Sequence, residues 1–383
     1  MKKGLKKLLS LGLVCTFAVA ALAACGTKDT GSSGDTFVIG GLGPLSGGAA
    51  SYGISVKQGA EIAVNEINEA GGVKVGDKTL KLELKFSDDE ASGDVALSAY
   101  NALMDDGVNA ILGTVTSGAG LAIAEQTNED GIFQITPSGS ALGLTEYPNQ
   151  FRLCFTDPLQ GETMAKYAVE KLGYKKIAII YNNADEYSTG VAEAFVATVG
   201  TLGAEVVAQE AFVTDAVDFT TQLTKIKNTD ADVIFVPAYY QDAAYITMQA
   251  KELGITLPFL GSDGWDGVIA KVVDTSVLEG AIFLSPFFST DENEAVQAFV
   301  KTYNEKYNAI PDQFAADGYD TVYVMKAALE KAASTESKDL IAAMTEIKVS
   351  GLTGDISFNA DGEPNKGAKF VEIKGGEYHG KLD

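Results

Sequence analysis

The sequence contains little of what metal-dependent and thiol-dependent enzymes require. Its 383 residues include one histidine, His379, which stands close to the C-terminus. A single terminal histidine argues against histidine-based catalytic triads and against histidine metal sites. The three cysteines, Cys15, Cys25 and Cys154, form no CxxC pair, which argues against structural zinc and thioredoxin-like redox chemistry. We therefore expect no metal, no cofactor and no catalytic residues.

Basic residues are also scarce, because 29 lysines and arginines face 52 aspartates and glutamates, for a net charge of −23. Such an acidic surface repels phosphate backbones, and no local basic stripe offsets it, so we expect no nucleic-acid partner. Hydrophobic residues make up 46% of the chain, which is enough for large cores. The length predicts two lobes of roughly 100–200 residues each.

A long apolar run occurs only at the N-terminus, where Leu8 to Ala24 follows a lysine-rich start. The run is short for a transmembrane helix and is typical of a signal peptide. It ends in Leu22-Ala23-Ala24-Cys25, which resembles the bacterial lipobox, in which the cysteine is lipidated. Residues 1–24 are therefore predicted to be a lipoprotein signal peptide and Cys25 the lipidation site. The alternative is an ordinary signal peptide followed by a chance cysteine.

The residues after this signal predict a flexible tether. Residues 25–35 hold the lipidated cysteine and a Gly/Ser-rich stretch, GTKDTGSSGD, without a large apolar side chain. No later segment approaches 18 apolar residues, so the body is expected to be held at the outer face of the cell membrane by lipid alone. The exported chain would keep one further thiol, Cys154, which stands in the apolar run FRLCF and is expected to pack in a core.

The body alternates predicted strands and helices. Two such runs of alternation, before and after residue 156, predict α/β lobes with parallel sheets covered on both faces. The first run has strands at 37–42, 80–86, 110–113, 132–136 and 151–155, with helices at 54–70, at 95–104 and from 118. The second has strands at 177–181, 206–212, 233–237 and 257–261, with helices at about 159–172, 189–199, 218–228 and 242–253. Helices follow at about 292–308 and 312–332, then short strands at 356–358 and 369–373.

The loops after the strands are rich in hydroxyl groups and tyrosines. Ligands of doubly wound sheets bind beyond the carboxyl ends of the strands, so these loops are where a site is expected. Ser117 would cap the helix that follows it, and the free backbone N–H groups at that helix N-terminus suit a carboxylate, although a plain helix cap is the commoner use of such a residue. The loop residues to be considered with it are Tyr52, Ser138, Ser140, Tyr187, Tyr239, Tyr240 and Ser262 to Trp265.

Together these stretches resemble the branched-chain amino-acid-binding (Leu/Ile/Val-binding) proteins of ABC importers. The matching segments, in chain order, are GPLSG…YG, INEAGG, ILG…TSG, ITPSGS, IAIIY with Tyr187, VPAYY, LGSDG and FAADGYD. The resemblance implies the type I periplasmic binding protein fold, in which two Rossmann-like lobes joined by three crossovers close around a ligand. It implies one lobe from 36–156 plus 286–350, and a second lobe from 157–285 plus 351–383.

The resemblance also implies roles for individual residues. Ser117, with its helix N-terminus, and Ser140 correspond to groups that bind the α-carboxylate of the ligand. The Ser138 carbonyl and Asp263 correspond to groups that hold the α-ammonium. Tyr52, Tyr187 and Tyr239 correspond to aromatic residues that cover the ligand. Thr116, Trp265 and Phe314 are secondary candidates for contact with the ligand. Independently, a zwitterion needs clustered donors on one side, a carboxylate on the other and apolar walls.

Several positions depart from the family pattern. Ala91 and Thr116 stand where enteric members have a cysteine pair, position 140 is Ser where many have Thr, and position 263 is Asp where some have Glu. These changes affect the size of the pocket and therefore the side chain that it accepts.

Three classes of function follow. The first is a monomeric, lipid-anchored receptor, not an enzyme, that captures an amino acid with a branched-chain or other small apolar side chain and delivers it to an ABC permease. The second is an extracellular sensor of the same fold, or a binder of a different small amide or carboxylate. The third is an exported enzyme, which is disfavoured because no nucleophile–base pair is evident.

Overall fold

The computed structural model describes residues 36–381. The predicted signal peptide, Cys25 and the linker up to residue 35 lie outside the described residues. None of the helices in the described part is both long and apolar enough to cross a membrane.

The first lobe is built on a six-stranded sheet with strand order β2-β3-β1-β4-β5-β6. All neighbouring strands are parallel except the antiparallel pair β2 and β3. Its strands are β1 (Thr36–Gly43), β2 (Val73–Val75), β3 (Lys78–Asp88), β4 (Ala110–Gly113), β5 (Gln134–Thr136) and β6 (Gln150–Arg152). The helices between them are α1 (Ala50–Glu69), α2 (Gly93–Asp105) and α3 (Ser117–Glu129).

The second lobe repeats this arrangement. Its first elements are α4 (Asp157–Lys166), β7 (Lys176–Asn182), α5 (Glu186–Thr201), β8 (Glu205–Phe212), α6 (Thr220–Lys227), β9 (Val233–Val236), α7 (Tyr240–Glu252), β10 (Phe259–Gly261) and β11 (Ile282–Ser285). The parallel order β8-β7-β9-β10-β11 matches β3-β1-β4-β5-β6 of the first lobe position by position. The predicted pair of doubly wound lobes is therefore confirmed.

The last quarter of the chain contributes to both lobes. Its elements are α8 (Glu294–Tyr307), α9 (Gln313–Ala332), α10 (Ser337–Ala343), β12 (Val349–Gly351), β13 (Gly354–Ile356), β14 (Lys369–Lys374) and β15 (Glu377–Lys381). Strands β14 and β15 extend the second sheet, with β14 antiparallel to β11 and β15 antiparallel to β14. Helix α9 packs along α1 on the first lobe.

Helices α1 and α9 approach so closely that glycine is required at their crossing. A Cβ atom on Gly59 would overlap the backbone carbonyl of Ala315, and one on Gly318 would overlap the carbonyl of Val56. The second lobe has a similar contact, where a Cβ on Gly161 of α4 would meet the backbone of α5. Close backbone approach fixes α9, and with it Phe314 at its start, against the first lobe.

Contacts near the C-terminus bear on where the chain crosses from the first lobe to the second for the last time. Residues 351–383 were predicted to belong to the second lobe. The Asp320 carboxylate of α9, however, accepts the N–H of Leu352 at 2.8 Å, and Glu363 forms a two-pronged ion pair with Arg152 at the end of β6. We therefore propose that the last crossover lies after Glu363 and before β14. The other predicted boundaries stay predictions.

Candidate functional site

The candidate site lies where the carboxyl ends of equivalent strands in the two lobes face each other. Tyr52 follows β1 and Tyr187 follows the equivalent β7, while Ser117 follows β4 and Tyr239 follows the equivalent β9. The same relation holds between Ser138 and Ser140 after β5 and Asp263 after β10. The repeated topology therefore brings loops distant in sequence to one cleft, as expected for doubly wound sheets.

These loops line a small, partly open cavity between the lobes. All seven primary candidates from the sequence line it, as do the secondary candidates Thr116 and Phe314. The lining residues are Tyr52, Val115, Thr116, Ser117, Ser138, Ser140, Tyr187, Tyr239, Asp263, Gly264 and Phe314. Their placement is a property of the structure, whereas their contact with a ligand stays a proposal.

One end of the cavity presents hydrogen-bond donors. Helix α3 begins at Ser117, so Thr116, and not Ser117 as predicted, stands at the cap position. Because Ser117 lines the cavity, the first turn of α3 presents its free N–H groups and the positive end of the helix dipole to the cleft. The Ser117 hydroxyl oxygen accepts the N–H groups of Ser140 and Ala141 at 3.2 and 3.1 Å, which leaves its own proton to donate. This end of the cavity is suited to an anionic oxygen.

The turn at residues 138–141 is held in place from below by a buried arginine. The Arg152 guanidinium is fully buried and donates to the carbonyls of Gly139 and Ala141 at 3.1 and 2.9 Å. Its remaining donors pair with Glu363 at 2.9 and 3.0 Å. Cys154 is buried beside this turn and donates to the Gly139 carbonyl at 3.3 Å, in accord with the expected packing role. Glu363 neutralises the charge of Arg152. The arginine therefore stabilises the turn and presents no positive charge to the cavity.

Asp263 places a carboxylate at the other side of the cavity. Burial raises the pKa of Asp263 to about 6, while the hydrogen bond from Tyr187 opposes this rise. The Tyr187 hydroxyl donates to Asp263 Oδ1 at 2.6 Å and accepts the Gly264 N–H at 2.9 Å. A carboxylate with a pKa of about 6 is mostly ionised at neutral pH. It can therefore pair with a cationic group in the cavity.

Aromatic rings form the walls and join the lobes. The Tyr52 ring lies 4.1 Å from that of Phe314 and 5.4 Å from that of Tyr239, measured between centroids. The Tyr239 and Tyr187 rings are nearly parallel at 5.1 Å. The Tyr52 hydroxyl donates to the Gly264 carbonyl and accepts the Tyr240 N–H at 2.9 Å. Because Gly264 and Tyr240 belong to the second lobe, Tyr52 links the two lobes directly.

Trp265, a secondary candidate from the sequence, does not line the cavity. Its side chain is fully buried, and the indole N–H donates to the Val236 carbonyl at 2.8 Å. The ring packs over Gly261, where a Cβ atom would overlap it. The short helical turn at Asp263–Trp265 points Asp263 into the cleft and turns Trp265 into the core.

Sequence reasoning missed some residues that shape the site. Val115 and Gly264 line the cavity, but each stands inside a motif already singled out, between ILG and TSG and within LGSDG. Gln160 and Gln313 hold the Asp263 loop, since Gln160 Oε1 accepts the Asp263 N–H and Gln313 Nε2 donates to the Asp263 carbonyl. They stand 103 and 50 residues apart from Asp263 in sequence, and no local pattern pairs them.

A wider groove opens outside the cavity and shares two residues with it, Thr116 and Tyr239. It is lined by several carboxylates, and burial raises the pKa of Asp185 to about 6 and that of Asp242 to about 7. In the part of the chain that the structure describes, no group of three or more His, Cys, Asp or Glu side chains could hold a metal ion.

Comparison with known proteins places this architecture among binding proteins. A sequence model of the periplasmic binding protein family matches residues 36–377. The chain is 31% identical over 341 residues to the Leu/Ile/Val-binding protein BraC3 of Rhizobium johnstonii, an alignment that covers 88% of each chain. It is 27% identical over 367 residues to the leucine-, isoleucine-, valine-, threonine- and alanine-binding protein of Pseudomonas aeruginosa, which covers 95% of this chain and 94% of that protein.

A solved structure shows the same likeness. The chain resembles the branched-chain amino acid transporter substrate-binding protein LivJ of Streptococcus pneumoniae, solved in complex with isoleucine, with a TM-score of 0.84 and 33% identity. The match covers 91% of this chain and 99% of that one. The agreement therefore extends through both lobes and the cleft between them.

Proposed function

Because this chain belongs to the periplasmic binding protein family, we propose that it captures an amino acid in its cleft and delivers it to an ABC permease. The observation that carries the proposal is the opposition of one buried carboxylate, Asp263, to the N-terminus of α3 across a single aromatic-walled cavity. An amino-acid zwitterion has an ammonium group to pair with Asp263 and a carboxylate to accept the N–H groups of α3. Because the cavity is small and its walls are largely aromatic and apolar, it favours a branched-chain or other small apolar side chain.

The same opposition disfavours the alternative ligand classes. A carboxylate without an ammonium group would leave the buried Asp263 facing an anion, and a neutral amide would leave it without a counter-charge. The relatives are described as binding proteins and as a transporter substrate-binding protein, which supports a transport receptor over an extracellular sensor.

Valine and two truncated analogues test the ligand class. Valine carries both charged groups, 3-methylbutanoate lacks the ammonium, and 2-methylpropylamine lacks the carboxylate. We expect titration calorimetry to show saturable binding of valine, leucine or isoleucine, with each analogue weaker than its parent by at least about a hundredfold, because charged hydrogen bonds are lost. Equal binding of 3-methylbutanoate and valine would remove the ammonium site from the proposal.

We further propose that the exported protein is a monomer anchored at the outer face of the membrane through a lipid on Cys25. The support is the LAAC junction followed by a polar linker. Cys25→Ala is expected to release the protein into the medium or periplasm without changing its melting temperature, because the lipid would be its only attachment. Cys15→Ala is the matched control and should stay anchored. Membrane retention of Cys25→Ala in a fractionation experiment would contradict the lipid anchor.

A further inference from the structure

Thr116 lies where the inner cavity meets the outer groove, because it lines both. It precedes the first residue of α3 and has the extended backbone of a helix cap, with φ −103° and ψ 149°. A threonine there ordinarily turns its hydroxyl back to accept an N–H group of the first turn. The Thr116 side chain makes no such capping bond.

The Thr116 hydroxyl is buried and unbonded. The residue is 5% exposed, and its Oγ1 has no hydrogen-bond partner among residues 36–381. Its backbone carbonyl, by contrast, accepts the Thr114 hydroxyl at 2.8 Å and the Gly120 N–H at 3.2 Å. A buried polar atom without a partner is unfavourable, so its presence in a binding cavity indicates that a ligand atom completes the bond.

The other hydroxyl groups of the cavity walls are already engaged. Those of Tyr52 and Tyr187 bond to the Asp263–Gly264 segment, and that of Ser138 donates to the Val115 carbonyl at 2.8 Å. The Tyr239 hydroxyl faces Asp185 at 3.4 Å. Apart from the groups assigned to the charged ends of the ligand, Thr116 is the wall residue whose hydroxyl finds no partner within residues 36–381.

We propose that Thr116 is a specificity-determining residue that hydrogen-bonds a polar atom on the ligand side chain. This inference rests on the proposed amino-acid site. It extends the substrate class from apolar side chains to small side chains with a hydroxyl group. Threonine is the natural example, because it has the shape of valine with a hydroxyl in place of one methyl. Val115, Tyr52 and Phe314 supply the apolar surface that the rest of such a side chain would contact.

The test is a double-mutant cycle between protein and ligand. Wild type and Thr116→Val are titrated calorimetrically with L-threonine and L-valine, so that hydroxyl and methyl are exchanged at nearly constant shape on both sides. Because one neutral hydrogen bond is gained or lost, we expect Thr116→Val to lower the threonine-to-valine affinity ratio by on the order of tenfold. Thr116→Ser keeps the hydroxyl and is expected to keep the ratio within about twofold of wild type.

The outcomes separate the inference from the proposed function. An equal change in the affinities of both ligands on Thr116→Val would overturn the specificity role, as would wild type that binds valine but not threonine. Wild type that binds no amino acid while its melting curve shows a folded protein would overturn the proposed function, and this inference with it. Should Thr116→Val fail to fold, Thr116→Ala and Thr116→Ser form the same comparison, and an unchanged ratio in the pair would refute the hydrogen bond.

Discussion

Asp263→Asn is expected to weaken amino-acid binding by about 2–5 kcal/mol, or roughly 30- to 4000-fold, because a buried ammonium loses its counter-charge. The asparagine keeps the shape of the side chain, and its amide oxygen can still accept the Tyr187 hydroxyl. Titration calorimetry with valine and leucine measures the loss. Affinity like that of wild type would show that Asp263 does not hold the ammonium.

The pH dependence of binding is an independent test of the pairing between Asp263 and the ligand ammonium. Because the pKa of Asp263 is about 6, the carboxylate is ionised above that pH and becomes protonated below it. A neutral carboxyl cannot balance an ammonium, so affinity should be constant near pH 8 and fall as the pH drops through 6. Asp263→Asn should bind weakly at every pH, with no such decline.

The unfolding of the same variant provides a control for the fold. The folded-state pKa lies above the ordinary 3.8, so the native protein takes up a proton as the pH falls through 6, while the unfolded chain does not. The contribution of Asp263 to stability therefore rises towards low pH and is unfavourable above pH 6. Asp263→Asn should melt at or above the wild-type temperature at pH 8. A large loss of melting temperature would mean that the variant fails through its fold.

Gly59→Ala is expected to destabilise the protein by about 3 kcal/mol, at the upper end of the range for overpacking. The added methyl would overlap the Ala315 carbonyl, a backbone atom that cannot rotate away, so α1 and α9 would have to separate. Gly200→Ala is the matched control, because Gly200 lies in α5 with nothing within 4 Å of the new Cβ. That change should be neutral or stabilise by up to about 1 kcal/mol, since glycine is unfavourable in a helix.

Urea-unfolding midpoints compare the two glycine variants under one condition. The expected order is Gly59→Ala far below wild type and Gly200→Ala at or slightly above it. If both variants unfold at the same urea concentration, the two helices have room to adjust, and the crossing is less tightly packed than the structure indicates.

Much of the architecture was predictable because it depends on local patterns. Val233 to Val236 is buried throughout, as a continuous apolar run of that length predicts for a parallel strand. Tyr239, which the family resemblance assigned to the ligand, lines the cavity, whereas its neighbour Tyr240 is buried in the core. Strand Ile282–Ser285 was not predicted, although Ala281 to Leu284 is an apolar run of similar length, because Ser285 and Pro286 end it at once.

The features that escaped prediction depend on the tertiary structure. Trp265 stands two residues after Asp263, but one tight turn decides which of them faces the cleft, and sequence spacing does not fix that turn. The need for glycine at position 59 comes from Ala315, more than 250 residues away. The Thr116 hydroxyl could be named from the sequence, whereas its lack of a partner is visible only when all its neighbours are in place.

The Tyr52 hydroxyl has a consequence for how quickly a bound molecule can leave. Its bonds to the Gly264 carbonyl and the Tyr240 N–H join one lobe to the other through protein atoms. Contacts within the protein therefore contribute part of the free energy that favours the closed state, and contacts with the ligand contribute the rest. Escape from the cavity requires these bonds to break as well as those to the ligand, so the Tyr52 hydroxyl prolongs residence through contacts that the ligand does not make. A transporter that broke these two bonds would speed release while leaving the Ser117 and Asp263 ends of the cavity intact.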